Sequence, residues 1–186
     1  MSVINAARQV RGTFARAYTK GWTTMGIREC IIAILVNNKP GVLSRVAGVF
    51  GRLGYNIESL CVAETISPEI SRITSITNAD SDFIEKVKKQ LSRLVDVIEV
   101  TELVPGQSAQ REMILIGINL DQNNRQEVLQ TVGMFDCKII FMRNNYCIIQ
   151  VAGSREEVET VINFLRPLGV DKIARTGVLA LQQAKE

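Results

Sequence analysis

The chain has 186 residues, of which 46% are hydrophobic and 22% charged, and its formal net charge is +3 because it holds 22 basic and 19 acidic residues and no histidine. This length fits one or two small domains with real hydrophobic cores, and no stretch reaches the roughly 18 apolar residues that a membrane-spanning helix needs. The absence of histidine removes the commonest general acid and base, so the composition argues against an enzyme.

The first 28 residues form a basic segment without a single acid. They carry five basic side chains, so +5 of charge lies there and the rest of the chain nets −2. Three interpretations stay open: an organelle transit peptide, an arm that docks onto a partner, or a start codon placed too early, with Met25 as the true start. We treat residues 1–28 as a basic N-terminal extension. Its apolar positions recur at helical spacing: Val3, Ala7, Val10, Phe14 and Ala17.

Residues 29–104 contain a regular alternation of strand-like and helical segments. Residues 31–36 are a continuous apolar run suited to a buried strand, and Pro40 fits the first turn of the helix that follows. Gly54 ends that helix, and Asp80 supplies a capping oxygen for the next. The order is therefore β-α-β-β-α-β. The predicted strands are 31–36, 57–63, 70–76 and 95–103, and the helices bury Leu43, Val46, Ala47, Phe50 and Leu53, then Ile84, Val87, Leu91 and Leu94.

Residues 113–186 repeat this order after a Pro-Gly linker signal, which we extend over 105–112. An Asn-Asn pair at 144–145 lies between two apolar runs as a hairpin turn does, and S-x-x-E at 154–157 is a capping box. The second half therefore has the topology of the first. Its predicted strands are 113–120, 138–142, 146–151 and 173–181, and its helices bury Val128, Leu129, Val132 and Phe135, then Val158, Val161, Ile162 and Leu165.

These elements predict an α+β fold with two tandem ferredoxin-like βαββαβ domains, at 29–104 and 113–186. Each sheet is antiparallel in this arrangement, with both helices on one face. The other face is then bare and the outer strand edges are unpaired. A bare face and free edges predict a homodimer or a larger assembly.

Four dispersed cysteines form no C-x-x-C pair and have no histidine to complete a metal site. We interpret them as buried thiols in a reducing compartment. This predicts a cytoplasmic protein, although the basic extension leaves an organelle open. The four are Cys30, Cys61, Cys137 and Cys147.

Other functional patterns favour structural explanations. The aromatic residues that RNA-recognition modules display on their middle strands are missing from the first half, and the second half has only Phe141 and Tyr146 there. The acids Asp80 and Asp82 stand at a predicted helix start, where they complement the helix dipole. Ser44 has no adjacent base that would activate it. We therefore predict no catalytic residue, no metal site and no nucleic-acid or membrane partner.

The connection between the first strand and the first helix, residues 38–43, is the strongest candidate site, and we call it the elbow. It combines Asn38, Pro40 and Gly41, whereas a plain turn needs only one special residue. A helix N-terminus offers free N–H groups to an anion, and glycine lets a ligand approach the backbone closely. We predict that the elbow holds the carboxylate of a small amino acid. From these residues alone, a purely structural turn is the alternative.

Asn56, which begins the next strand, completes the predicted site. If two chains pair there, the amide groups of Asn38 and Asn56 can bind the ammonium and carboxylate groups of the ligand. The equivalent connection in the second half, D-Q-N-N at 121–124, lacks proline and glycine. We therefore expect the ligand at the first elbow only. Its predicted aliphatic lining is Val42, Leu43 and Ile57.

Four segments resemble a known family. They are N-K-P-G-V-L-S-R at 38–45, G-Y-N-I-E-S-L at 54–60, I-S-R-I-T at 70–74 and A-R-T-G-V-L-A-L at 174–181. The elbow motif is common to many amino-acid-sensing ACT domains. Together, the four segments resemble the regulatory small subunit of acetolactate synthase, also called acetohydroxyacid synthase, from about residue 29 to the end.

The resemblance implies a non-catalytic subunit with an N-terminal ACT domain. Such a subunit activates a separate catalytic large subunit that carries thiamine diphosphate, FAD and magnesium, and itself holds no cofactor. It also confers feedback inhibition by a branched-chain amino acid, typically valine, bound between paired ACT domains. The family's sensitivity positions match Asn38, Gly41 and Asn56 here, with Val42, Leu43 and Ile57 as their neighbours. The first 28 residues depart from the bacterial pattern.

Two other functions stay open. A free-standing ACT sensor that controls a different partner would have the same elbow. A nucleic-acid-binding protein would use the basic extension, and its binding would then depend on salt.

Overall fold

Residues 26–104 and 106–183 are described by a computed structural model. Residues 1–25 of the basic extension lie outside the described part of the chain, so the three interpretations of the extension stay predictions. The described chain forms two antiparallel sheets, with strand orders β2-β3-β1-β4 and β6-β7-β5-β8, and β9 pairs with β5. The βαββαβ pattern thus occurs twice, which confirms the predicted fold of two tandem ferredoxin-like domains.

The first sheet and its helices follow the predicted order. Alternate side chains of β1, such as Ile32 and Ile34, face the helices and are fully buried. A bulge lies between Leu35 and Val36 where β1 pairs with β4. The elements are β1 (Arg28–Asn37), α1 (Val42–Leu53), β2 (Ser59–Glu64), β3 (Ile70–Ala79), α2 (Ser81–Leu91) and β4 (Val97–Glu102).

Aromatic packing closes the first core at the end of α1. Gly54 adopts the left-handed conformation with φ 79°, and the next N–H, from Tyr55, donates to Phe50 O at 3.0 Å. This turn brings the Tyr55 ring to within 4.2 Å of the Phe83 ring, centroid to centroid, and Phe83 also contacts Phe50 at 6.0 Å. The predicted glycine cap of α1 is therefore confirmed, and it fixes the direction in which residue 56 leaves the helix.

The second domain confirms two local predictions. Residues 144–145 form the turn between β6 and β7, closed by the Arg143 N–H donating to Tyr146 O at 2.8 Å. Ser154 and Glu157 make the capping box in both directions. The elements are β5 (Ser108–Asn119), α3 (Arg125–Met134), β6 (Lys138–Met142), β7 (Tyr146–Gly153), α4 (Arg155–Leu165), a 3-10 turn (Arg166–Leu168), β8 (Val170–Arg175) and β9 (Leu179–Gln182).

The last predicted strand, 173–181, is wrong as a single strand. It is broken at Gly177, whose φ of +75° lies in the left-handed region that strands do not use. β8 pairs with the second half of β5, while β9 pairs with its first half, from Ser108 opposite Gln182 to Arg111 opposite Leu179. β5 therefore begins five residues before the predicted start at Met113.

The ribbon of β5 and β9 lies on the helix-free face of the first sheet. Val178 and Ala180, which are 4% and 6% exposed, pack there in a third apolar cluster. The prediction of a bare face is therefore wrong for this part of the first sheet, because the second domain supplies its cover. The partners in the first domain are Ile31, Ala33, Ile76 and Leu103.

The four cysteines are all free thiols, and Cys30 and Cys147 are buried as predicted. Cys61 and Cys137 are only half-buried, so that part of the prediction is wrong. Burial, with a smaller contribution from Asp136, raises the pKa of Cys137 to about 11. No helix in residues 26–104 or 106–183 has the length and apolar character needed to cross a membrane.

The raised pKa of Cys137 predicts an unusual pH dependence of alkylation. Only the thiolate reacts, so the rate at Cys137 should rise about tenfold per pH unit between pH 7 and 10. Pulsed iodoacetamide followed by peptide mass spectrometry measures this rate, and Cys137→Ser identifies the peptide. A rate that levels off near pH 9, as for an ordinary thiol, would contradict the prediction.

Candidate functional site

The elbow holds an uncapped helix N-terminus. Gly41 is the N-cap residue of α1 and has φ 81°, a conformation that favours glycine, and no side chain caps the helix there. The first hydrogen bond of the helix runs from Arg45 N to Gly41 O at 3.1 Å. Among the described residues, the N–H groups of Leu43 and Ser44 have no hydrogen-bond partner. These two N–H groups can therefore donate hydrogen bonds to an anion.

Two cations flank this N-terminus. Arg45 Nη2 lies 2.5 Å from Asp96 Oδ2, and Lys39 Nζ lies 3.9 Å from Asp96 Oδ1. A Cβ atom at position 41 would lie 3.2 Å from Arg45 Nη1. These two cations are balanced by Asp96 and by Glu64, which accepts from Asn38 Nδ2 at 3.0 Å. The preference of this N-terminus for a carboxylate therefore comes from its free N–H groups and the helix dipole rather than from a net charge.

Asn38 ties the elbow to the connection between β2 and β3. Its Nδ2 donates to Glu64 Oε1 at 3.0 Å and to Pro68 O at 2.9 Å, and its main-chain N–H donates to Glu69 O at 2.6 Å. Both amide hydrogens of the side chain are therefore used. The side-chain oxygen is left as an acceptor, which suits an ammonium group.

Asn56 lies at the opposite end of α1. The helix has 12 residues, and at 1.5 Å per residue it spans roughly 18 Å. Asn56 Nδ2 donates to Glu58 Oε1 at 3.1 Å, and its main-chain oxygen accepts from Thr77 Oγ1 at 2.6 Å. A single chain therefore does not bring Asn56 to the elbow that contains Asn38 and Gly41.

The three predicted aliphatic neighbours have different environments. Val42 is 3% exposed and packs into the first core, so its side chain is directed away from the elbow surface. Ile57 is half-buried against the same core, at the Asn56 end of the helix. Leu43 is 42% exposed. Of the three, Leu43 alone offers a largely exposed apolar surface beside the helix N-terminus.

The second domain orders its own elbow with internal hydrogen bonds. Asp121 Oδ1 accepts from the N–H groups of Asn123 and Asn124 at 2.7 and 2.8 Å. Asn124 Oδ1 in turn accepts from Asp121 N at 2.8 Å. These bonds lie in the turn before α3, and the N-cap Asn124 makes no side-chain cap to the helix, as Gly41 makes none to α1. The prediction that the ligand binds at the first elbow only therefore stays a prediction.

Sequence reasoning missed the acids of the elbow. Glu64 ends β2 and Asp96 lies in the turn before β4. No local pattern connects these two acids with residues 38–43. Within residues 26–104 and 106–183, no group of three or more acidic or cysteine side chains could hold a metal ion.

Comparison with protein families gives one match for each half of the chain. Residues 32–99 match a family described as "AHAS small subunit-like ACT domain". Residues 111–184 match a family described as "Small subunit of acetolactate synthase". The two matches together cover most of the described residues.

Individual relatives agree with these matches. The chain is 39% identical over 150 residues to the probable acetolactate synthase small subunit of Archaeoglobus fulgidus, covering 81% of this chain and 94% of that protein. The chain is also 36% identical to the probable acetolactate synthase small subunit of Methanothermobacter thermautotrophicus, covering 82% of this chain and 92% of that protein. The crystal structure of the small subunit from Thermotoga maritima is 40% identical, with a TM-score of 0.81, covering 86% of this chain and 100% of that one.

Proposed function

The chain belongs to the family of acetolactate synthase small subunits, and we propose that it activates a catalytic large subunit and makes it sensitive to feedback inhibition by a branched-chain amino acid. Valine is the first effector to test. Thiamine diphosphate, FAD and magnesium belong to the catalytic partner in this proposal, and this chain contributes no group to the reaction. The free thiols fit a reducing compartment, and we place the subunit in the cytoplasm.

The uncapped N-terminus of α1 is the observation that carries the effector proposal. The free N–H groups of Leu43 and Ser44, beside Lys39 and Arg45, suit the carboxylate of an amino acid. The exposed Leu43 side chain offers an apolar surface for an aliphatic side chain. The unused oxygen of Asn38 suits the ammonium group.

A second copy of the chain completes this site in our proposal. β2 is an edge strand of six residues, roughly 20 Å long, and runs between the Asn56 end of the domain and the elbow end. If two β2 strands pair antiparallel about a two-fold axis, the elbow of one chain faces the partner subunit's Asn56. Exposed Leu60 and Val62 on β2 would be covered in such a pair.

An effector bound between two copies can act only by favouring one arrangement of them. By linkage, the catalytic subunit must then change the affinity of the small subunit for the effector by the same factor. Reconstitution tests the proposal. Adding the full chain to the catalytic subunit should raise acetolactate production, and valine should reverse the increase. If the full chain binds neither the catalytic subunit nor any branched-chain amino acid in calorimetry, the proposal is wrong.

Asn56→Ala should weaken valine inhibition while leaving activation of the catalytic subunit intact. The substitution removes a side-chain amide worth about tenfold in affinity, and it does not disturb the core because the side chain is exposed. The measurement is the valine concentration for half-inhibition of the reconstituted complex. Asn78→Ala, at another exposed asparagine of the same domain, is the matched control. Loss of activation together with inhibition would point to a folding or interface role instead.

A further inference from the structure

A polar contact joins the segment that carries Asn56 to the second domain. The main-chain N–H of Val178 donates to Ser59 Oγ at 3.1 Å. Ser59 follows Asn56 by only three positions. We call Ser59, Gly177 and Val178 the domain joint. No feature of the sequence pattern indicated this contact, because the two motifs that meet here lie far apart in the chain.

The Ser59 side chain leaves little room for a side chain at position 177. A Cβ atom added to Gly177 would lie 2.5 Å from Ser59 Oγ and 3.6 Å from Leu60 O. The φ of +75° at Gly177 also disfavours every other residue. Main chain of the second domain therefore rests directly on the first residues of β2.

The chain on each side of the joint is held firmly. On the first-domain side, Thr77 Oγ1 donates to Asn56 O at 2.6 Å and Glu58 N donates to Ile76 O at 2.8 Å. On the second-domain side, Thr176 N donates to Met113 O at 3.0 Å. The joint therefore connects two segments that are each fixed within their own sheet.

Arg175 extends this rigid path into the second sheet. Its guanidinium binds both oxygens of Glu112, at 2.7 and 2.9 Å, and also Glu159 at 2.7 Å. Glu112 is 4% exposed. These ion pairs raise the pKa of Arg175 further above its usual value, against the opposing effect of burial. The residues that follow Arg175 are thus anchored to both β5 and α4.

An exposed ion pair between the domains has different properties. Arg155 forms an ion pair with Glu29, and both side chains are about two-fifths exposed, at 42% and 43%. Exposed ion pairs contribute little to stability. The pair lies at the start of β1 and includes no residue of the elbow or of residues 56–59, so it supplies a control.

We propose that Ser59 is a positioning residue that acts through Gly177 and Val178. It transmits effector binding at residues 56–57 to the second domain, so that inhibition of the catalytic complex depends on the joint while effector binding does not. This inference rests on the proposed function of the elbow. A residue that only binds the effector would change the affinity for the effector and the inhibition of the catalytic complex together. Ser59 should change the inhibition alone.

The test compares Ser59→Ala, Gly177→Ala and the double variant with the wild type. Calorimetry gives the dissociation constant for valine, and assays of the reconstituted complex give residual activity at saturating valine. In each single variant we expect the residual activity to rise about fivefold, as for loss of one hydrogen bond, with the dissociation constant changed less than about twofold. In the double variant, Ser59→Ala removes the 2.5 Å clash, so its effect should be smaller than the two single effects combined.

Two variants serve as controls. Gly106→Ala introduces the same strain at φ +83° with no neighbour within 4 Å, and Arg155→Gln breaks the exposed ion pair. Valine should inhibit the complexes reconstituted with either control variant as it inhibits the wild-type complex. Wild-type inhibition in Ser59→Ala and Gly177→Ala would overturn the inference, as would a loss of valine binding in proportion to the loss of inhibition. Failure of the wild type itself to bind any branched-chain amino acid would instead overturn the proposed function.

Discussion

Gly41→Asp is expected to abolish inhibition by valine in the physiological range. A Cβ atom at position 41 would lie 3.2 Å from Arg45 Nη1, so an aspartate there would place its carboxylate beside Arg45 at the start of α1. The new charge would neutralise this cation and repel the ligand carboxylate. We expect the half-inhibiting valine concentration to rise by at least about 100-fold.

The matched control is Gly41→Asn, which has the same shape as aspartate and carries no charge. Both substitutions impose φ +81° on a residue with a Cβ atom, at a cost of about 1 kcal/mol in folding free energy. Both variants should still activate the catalytic subunit, and Gly41→Asn should keep more of the inhibition. Wild-type valine inhibition of Gly41→Asp would show that the effector lies elsewhere.

Phe83→Ala is expected to give the largest loss of stability in the first domain. The Phe83 ring is 0% exposed and contacts two other rings, Phe50 and Tyr55. Removing it leaves a cavity between α1 and α2, and such truncations lower the free energy of unfolding by about 3–5 kcal/mol. Urea unfolding followed by circular dichroism measures the shift.

Phe164→Ala controls for the loss of an aromatic pair. Phe164 contacts Phe135 at 5.1 Å between centroids but is 41% exposed, so its removal creates no closed cavity. We expect it to cost about 1 kcal/mol. Equal losses for the two variants would contradict the burial argument.

Local sequence signals predicted the local structure well. The S-x-x-E box marks the start of α4, because this signal depends on residues within one turn of helix. Pro40 lies two residues before α1 rather than in its first turn, because Gly41 is the N-cap. The continuous apolar run 31–36 predicted β1 as a buried strand. The order of elements, and hence the fold, follows from such short-range patterns.

The remaining features depend on contacts between distant parts of the chain. The pattern of residues 173–181 predicted one strand, and only the structure shows the left-handed turn at Gly177 that breaks it. The acids of the elbow, Asp96 before β4 and Glu64 at the end of β2, are connected with residues 38–43 by no periodicity. The separation of Asn56 from Gly41 could have been obtained from the length of α1 alone.

The ribbon of β5 and β9 also has a consequence for synthesis on the ribosome. Ile31, Ala33 and Ile76 are covered by Val178 and Ala180, which leave the ribosome only after the whole second sheet has been made. The first domain can form its helix-side core early, while its opposite face stays open to water. A nascent chain of this kind therefore presents an apolar surface to chaperones throughout the translation of its second half.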